Sequence, residues 1–178
     1  DWPRPSRGTA GATLPVMTDT KLPPCGIYKT LRAIGSVPEG RLVYFHNHGN
    51  PGPGVYLPAG WKQNRAHFQP GGTTLPHVSD ASALEALAPE GLYAVREPFH
   101  CCAKQCVAYT PGMLVQLGYQ GTAQALLFVP RWVDGRFTLP EQGNAVDATV
   151  VAKLQRLDVP EERSEAHAGH EHTGEVLH

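Results

Sequence analysis

The chain has 178 residues, 41% of them hydrophobic, and a formal net charge of −1. That length suits one ordinary domain or two small ones, and the near-neutral balance excludes the basic surplus with which a general DNA or RNA binder neutralises phosphates. No apolar run reaches the roughly 20 residues that cross a bilayer as a helix, and 19 glycines with 17 prolines punctuate many short elements, which favours strands over long helices.

In chain order, the first residues (Asp1-Trp2-Pro3-Arg4-Pro5-Ser6-Arg7) have no apolar stretch behind them. They read as lacking a secretory signal, so a cytoplasmic location is expected. Residues 1–24 read as a flexible extension, with Met17 placed as a natural start. Strands are expected at residues 26–31, 42–45, 55–57 and 65–68. A second series is expected at residues 92–96, 114–117, 126–129 and 136–139, each bounded by Gly or Pro turns. Asp134-Gly135 lies between Trp132-Val133 and Arg136-Phe137, the composition of a type I′ hairpin turn.

The two series match in order. Gly26-Ile27-Tyr28 corresponds to Gly91-Leu92-Tyr93, Leu42-Val43 to Leu114-Val115, and Gly49 to Gly121. Val55-Tyr56-Leu57-Pro58 corresponds to Leu127-Phe128-Val129-Pro130, after which Trp61 and Trp132 follow with a single-residue shift. Each half closes on Asp-Ala-Ser or Asp-Ala-Thr. There Asp80 and Asp147 are expected to cap a short helix carrying Leu84 and Leu87, or Val151 and Leu154. An internal duplication follows, with a first repeat at 25–90, a second at 91–160 and a polar tail at 161–178. The tail holds His167, His170, His172 and His178, which can bind metal loosely.

The fold class expected is all-β with minor α: two duplicated small antiparallel units, each closing with a short helix. The opening small-apolar-Tyr strand, the long first loop, the Gly turn before Leu-Val and the Trp beyond the third strand resemble the SH3-like barrels. The resemblance implies a small barrel for each repeat. It does not extend to the acidic loop by which many SH3 domains bind proline-rich peptides, and fold alone does not carry function.

The repeats differ most between their first and second strands. The second inserts Glu97-Pro98-Phe99-His100-Cys101-Cys102-Ala103-Lys104-Gln105-Cys106-Val107, which holds three of the four cysteines. Thiolates and imidazole suit Zn or Fe, so Cys102 and Cys106, completed by Cys101 or His100, form a candidate metal site; on a helix the first two would share a face. Disulfides and free buried thiols are the alternatives. His46 and His48, two apart, would share a strand face and form a weaker metal candidate that the duplication replaces with Gly118 and Gln120. Cys25 aligns with Glu90 rather than with the insert.

Three functions are open at this point. The first is a non-catalytic binding or scaffold protein with a protein partner, using Tyr28, Trp61, Tyr93 and Trp132 as a contact surface. The second is a metal-binding protein centred on His100, Cys101, Cys102 and Cys106. The third is an enzyme pairing Cys101 or Cys102 with His46 or His48. No phosphate loop, serine elbow or carboxylate pair accompanies them. Neither nucleic acid nor a membrane span is expected.

Overall fold

The computed structural model describes residues 21–160. The Met17 start and the tail histidines His167, His170, His172 and His178 lie outside the described residues. The first half contributes β1 (Gly26–Thr30), β2 (Leu42–His46), β3 (Gly54–Tyr56), β4 (Pro58–Lys62), β5 (Arg65–Phe68), β6 (Thr73–Thr74) and β7 (Leu84–Ala86). The second contributes β8 (Gly91–Val95), β9 (Phe99–His100), β10 (Ala108–Tyr109), β11 (Leu114–Tyr119), β12 (Ala125–Phe128), β13 (Arg131–Val133), β14 (Arg136–Thr138), β15 (Asn144–Ala145) and β16 (Leu154–Arg156). Short 3-10 helices at Val78–Ala83 and Ala148–Lys153 precede the last strand of each half. The chain is all-β with minor helix, and no helix among the described residues is long and apolar enough to cross a membrane.

The duplication is visible in the pairing. One five-stranded antiparallel sheet runs β6-β3-β2-β1-β7 and the other β15-β12-β11-β8-β16, the same order at equivalent positions. Tyr28 lies opposite Val43, and Tyr93 opposite Val115. Each tyrosine is only 4% exposed. Each hydroxyl donates to the carbonyl four residues back, Pro24 or Pro89, at 2.7 Å. Tyr28 and Tyr93 are therefore core residues and not part of a contact surface. Their alternation on β1 and β8 turns them inward, and a buried phenol needs a partner.

Hairpins β4–β5 and β13–β14 lie outside the two sheets. The turn at Asp134-Gly135 has φ of 48° and 71°, the left-handed pair a type I′ turn requires. Its counterpart Gln63-Asn64 takes φ of 51° and 64° without a glycine. A register shift between Pro58 and Gly60 adds one residue to β4, which accounts for the single-residue offset between Trp61 and Trp132.

The expected caps need correcting. The first 3-10 helix starts from His77, and Asp80 sits three residues in, its Oδ2 accepting the His77 N–H at 3.0 Å. Asp147 precedes the second helix but makes no side-chain capping bond. Leu84 and Leu154 do not belong to the helices: they open β7 and β16.

Two apolar cores form, and β2 lies between them. Val43 and Phe45 enter the first core, with Tyr28, Ile34, Val37 and Val55. Leu42, on the opposite face of the strand, packs into the second core with Val115, Leu117 and Leu127. Hairpin β4–β5 covers the outer face of β11. The Trp61 Nε1–H donates to the Tyr119 carbonyl at 2.8 Å, and Gln116 Nε2 donates to the Gln63 carbonyl at 2.8 Å. Asn64 Nδ2 donates to Gln116 Oε1 at 3.1 Å. The approach is close enough that a Cβ on Gly118 would lie 2.5 Å from the Asn64 carbonyl oxygen.

Glu90 fastens the same contact. Its carboxylate, on a residue only 8% exposed, accepts the Ala66 N–H at 2.9 Å and the Tyr119 N–H at 3.3 Å. Burial raises its pKa above 4.5 and outweighs the lowering by those two bonds and by Arg65. The folded carboxyl thus holds its proton more tightly than the unfolded one. This group's stabilising contribution is full below the ordinary value of 4.5 and is lost as pH rises through the folded value.

Two outcomes are expected in urea unfolding. Gly118→Ala lowers stability by about 1–3 kcal/mol, because the Asn64 backbone must move. Glu90→Gln also costs about 1–3 kcal/mol, since the amide presents a donor to a backbone N–H, and it removes the loss of stability on raising pH through the weakly acidic range.

Candidate metal centre

The insert is a hairpin rather than a helix. Phe99 pairs with Tyr109 and His100 with Ala108, and the two rings stack at 4.7 Å. In the first repeat the corresponding loop closes through the bridge of Ile34 with Val37, both 1% exposed. The second repeat keeps that inward plug as Phe99 and Tyr109 and adds residues 101–107 at the tip. Cys102 and Cys106 meet because the tip folds back: the Cys101 N–H donates to the Val107 carbonyl at 3.0 Å and the Gln105 N–H to the Cys102 carbonyl at 2.9 Å. Gln105 takes a φ of 55° to close that turn.

All four cysteines are free thiols, so the disulfide alternative is not the one the structure adopts. The sulfurs of Cys101, Cys102 and Cys106 lie within 4.8 Å of one another. Those of Cys101 and Cys102 are 3.5 Å apart. Zinc–sulfur bonds of about 2.3 Å in tetrahedral geometry place two sulfurs about 3.8 Å apart, so this pair is already near the spacing one ion needs. Cys101 is buried and anchors the group, while Cys102 and Cys106 are exposed. His100 points elsewhere: it is exposed on β9 and does not join the three sulfurs.

Backbone N–H groups face the sulfurs. The Val107 N–H donates to Cys101 Sγ at 3.3 Å. The Cys102 thiol is held below its ordinary pKa, first by the Cys101 side chain and then by the N–H groups of Lys104 and Cys106. Cys106 is pushed up by its hydrogen bond to Cys102 and by that neighbour's charge. Donors aimed at sulfur favour the thiolate, the form that binds metal and attacks electrophiles. Of the two exposed thiols, Cys102 is the one whose surroundings favour the charged form.

A second group comes from residues the sequence reading kept apart. Cys25, His46 and His48 place one sulfur and two ring nitrogens within 4.8 Å of one another. Gly26 pairs with Phe45, so the next cross-strand neighbours are Cys25 and His46. Cys25 thus lies beside the histidines, as the alignment of Cys25 with Glu90 and of His46 with Gly118 permits. The contacts of Cys101 and Cys102 are with each other, with Cys106 and with the tip backbone, whereas His48 faces Cys25, 3.5 Å from its sulfur. The structure therefore pairs His48 with a different cysteine from those expected.

The two tryptophans are separated. Trp61 is 49% exposed with its indole N–H tied to the second repeat, and Trp132 is 75% exposed on β13, its ring 5.7 Å from Phe137 across the hairpin. Glu90 was missed as a structural group because a single carboxylate has no motif; its signal was alignment with Cys25. No protein-family model, no curated protein and no solved structure matches the chain.

Proposed function

We propose that this chain is a metal-binding protein that holds a thiophilic ion, Zn²⁺ in the first instance, on Cys101, Cys102 and Cys106 at the β9–β10 tip. The observation that carries this reading is the convergence of three sulfurs within 4.8 Å on a loop that the other repeat lacks. Backbone donors at Cys101 and Cys102 supply outer support of the kind that orients and charges metal ligands. Three protein ligands leave a fourth position for water or an incoming group. Fe is the other ion these donors suit. Binding releases thiol protons, so affinity falls as pH is lowered. The equivalent order of both five-stranded sheets, with a 3-10 helix before the last strand, supports an SH3-like description of each repeat, the second of which carries this tip.

A second reading, a non-catalytic binding or scaffold protein with a protein partner, is favoured by hairpin β13–β14. Trp61 of its counterpart β4–β5 donates to the second repeat and is 49% exposed, whereas Trp132 is 75% exposed.

Zinc titration of the full chain is expected to protect Cys102 and Cys106 from iodoacetamide, and Cys102→Ser with Cys106→Ser is expected to remove one bound Zn²⁺ per chain in native mass spectrometry. In the metal-free chain Cys102 is expected to alkylate at a lower pH than Cys106; the reverse order would contradict the donor arrangement at the tip. For the hairpin, Trp132→Ala with Phe137→Ser is expected to change unfolding free energy by less than about 1 kcal/mol, the range of a cross-strand pair. A larger loss in urea unfolding would make these side chains structural rather than a docking surface.

A further inference from the structure

We infer that the first repeat carries a second metal site, built from Cys25, His46 and His48 and suited to Zn²⁺. The site is independent of the three-cysteine tip, and comparison of the two repeats is what isolates it. Cys25 and Glu90 occupy equivalent positions just before β1 and β8. Cys25 Sγ accepts the Asn47 N–H at 3.3 Å, as Glu90 accepts the Tyr119 N–H at 3.3 Å. The fold thus places an acceptor at this point in both halves, and in the first half that acceptor is a thiol.

What surrounds the acceptor differs. In the second repeat, Gly118 and Gln120 stand where the first has His46 and His48, and the hairpin turn at Asn64 covers Gly118. Among the described residues, the His46 ring packs between Tyr44, at 4.7 Å, and Tyr56, at 5.3 Å, and faces His48 at 5.5 Å. The fold therefore does not need imidazoles here, and a residue with a Cβ at this position prevents the docking seen at Gly118. Two imidazoles and a thiol instead converge on a partly open surface, with Cys25 and His46 half-buried and His48 exposed to give an ion a way in.

The spacing fits one ion. Zinc–sulfur bonds of about 2.3 Å and zinc–nitrogen bonds of about 2.0–2.1 Å put sulfur and nitrogen about 3.6 Å apart in a tetrahedron. Cys25 Sγ and His48 Nδ1 are 3.5 Å apart. Asn47 acts as a positioning residue. Its Oδ1 lies 3.2 Å from Cys25 Sγ and 2.9 Å from His48 Nδ1, and its Nδ2 donates to the Pro23 carbonyl at 3.2 Å. Both side chains are held together, and the segment before β1 is tied to the end of β2. When Zn²⁺ binds, the Cys25 thiol loses its proton to solvent and His48 takes the tautomer protonated at Nε2, so both ligand atoms leave Asn47 Oδ1 for the ion; the imidazoles bind neutral, and a fourth position stays open to water.

The test uses the full chain carrying Cys102→Ser and Cys106→Ser, which removes the tip site through exposed residues. This chain is expected to retain one Zn²⁺ after dialysis against a moderate chelator and, with Co²⁺, to show a thiolate-to-cobalt charge-transfer band. The tail histidines supply no thiolate and cannot produce that band. Adding Cys25→Ser, which keeps an acceptor for the Asn47 N–H, is expected to abolish the band with circular dichroism unchanged. Adding His48→Gln, the residue the second repeat carries, is expected to weaken Zn²⁺ binding by at least the roughly tenfold that even an outer partner contributes. Absence of the band before Cys25 is changed would overturn the site, as would its persistence after Cys25→Ser. Loss of Zn²⁺ from the tip alone would leave this site standing, so the two readings fail separately.

Discussion

The arrangement depends on one contact, the seating of hairpin β4–β5 on the outer face of β11. Gly118 leaves room for the Asn64 carbonyl, Glu90 receives N–H groups from both sides of the contact, and Trp61 closes its rim. Because Leu42, paired with Lys29 in its own sheet, turns its side chain into the second core, the repeats share apolar burial as well as hydrogen bonds. A buried carboxylate with two backbone donors and only partial electrostatic compensation is costly to charge. Burial raises its pKa, while the two N–H bonds that make the joint and the Arg65 charge favour the carboxylate.

The duplication then explains where chemistry can appear. A repeated fold supplies the same positions twice, and only one copy of each is needed for structure. The loop after the first strand is a short apolar plug in the first repeat and a cysteine-bearing hairpin in the second. The position before the first strand is a joint in the second repeat and a thiol beside two histidines in the first. In each case one copy carries the metal-type side chains and the other does not. On the proposed reading, metal binding rests on divergence at two different loci, one in each repeat.

Much of the fold was legible from pattern. Gly-apolar-Tyr followed by Leu-Val marked the first two strands of each half, because alternation fixes which residues face the core. Asp134-Gly135 marked a turn because glycine tolerates the left-handed region, whereas Gln63-Asn64 makes the same turn with weaker signals. The offset between the tryptophans was visible, but its cause, an extra residue between Pro58 and Gly60, appears only in the strand register. Tyr28 and Tyr93 were misjudged because an aromatic with a polar tip serves a surface and a core equally well in sequence; their hydroxyl bonds to Pro24 and Pro89 decide the matter. The three clustered cysteines were legible because they are adjacent in the chain. Cys25 with His46 and His48 was not, since more than 20 residues separate them and only the β1–β2 register brings them together.

On the proposed reading, soft, sulfur-containing sites on the folded repeats hold the metal. The most direct measurement is zinc X-ray absorption of the full chain loaded with its bound Zn²⁺. The account predicts a first shell dominated by sulfur at about 2.3 Å with a smaller nitrogen component at about 2.0–2.1 Å. A shell of nitrogen and oxygen alone would contradict it and place the ion away from the cysteines.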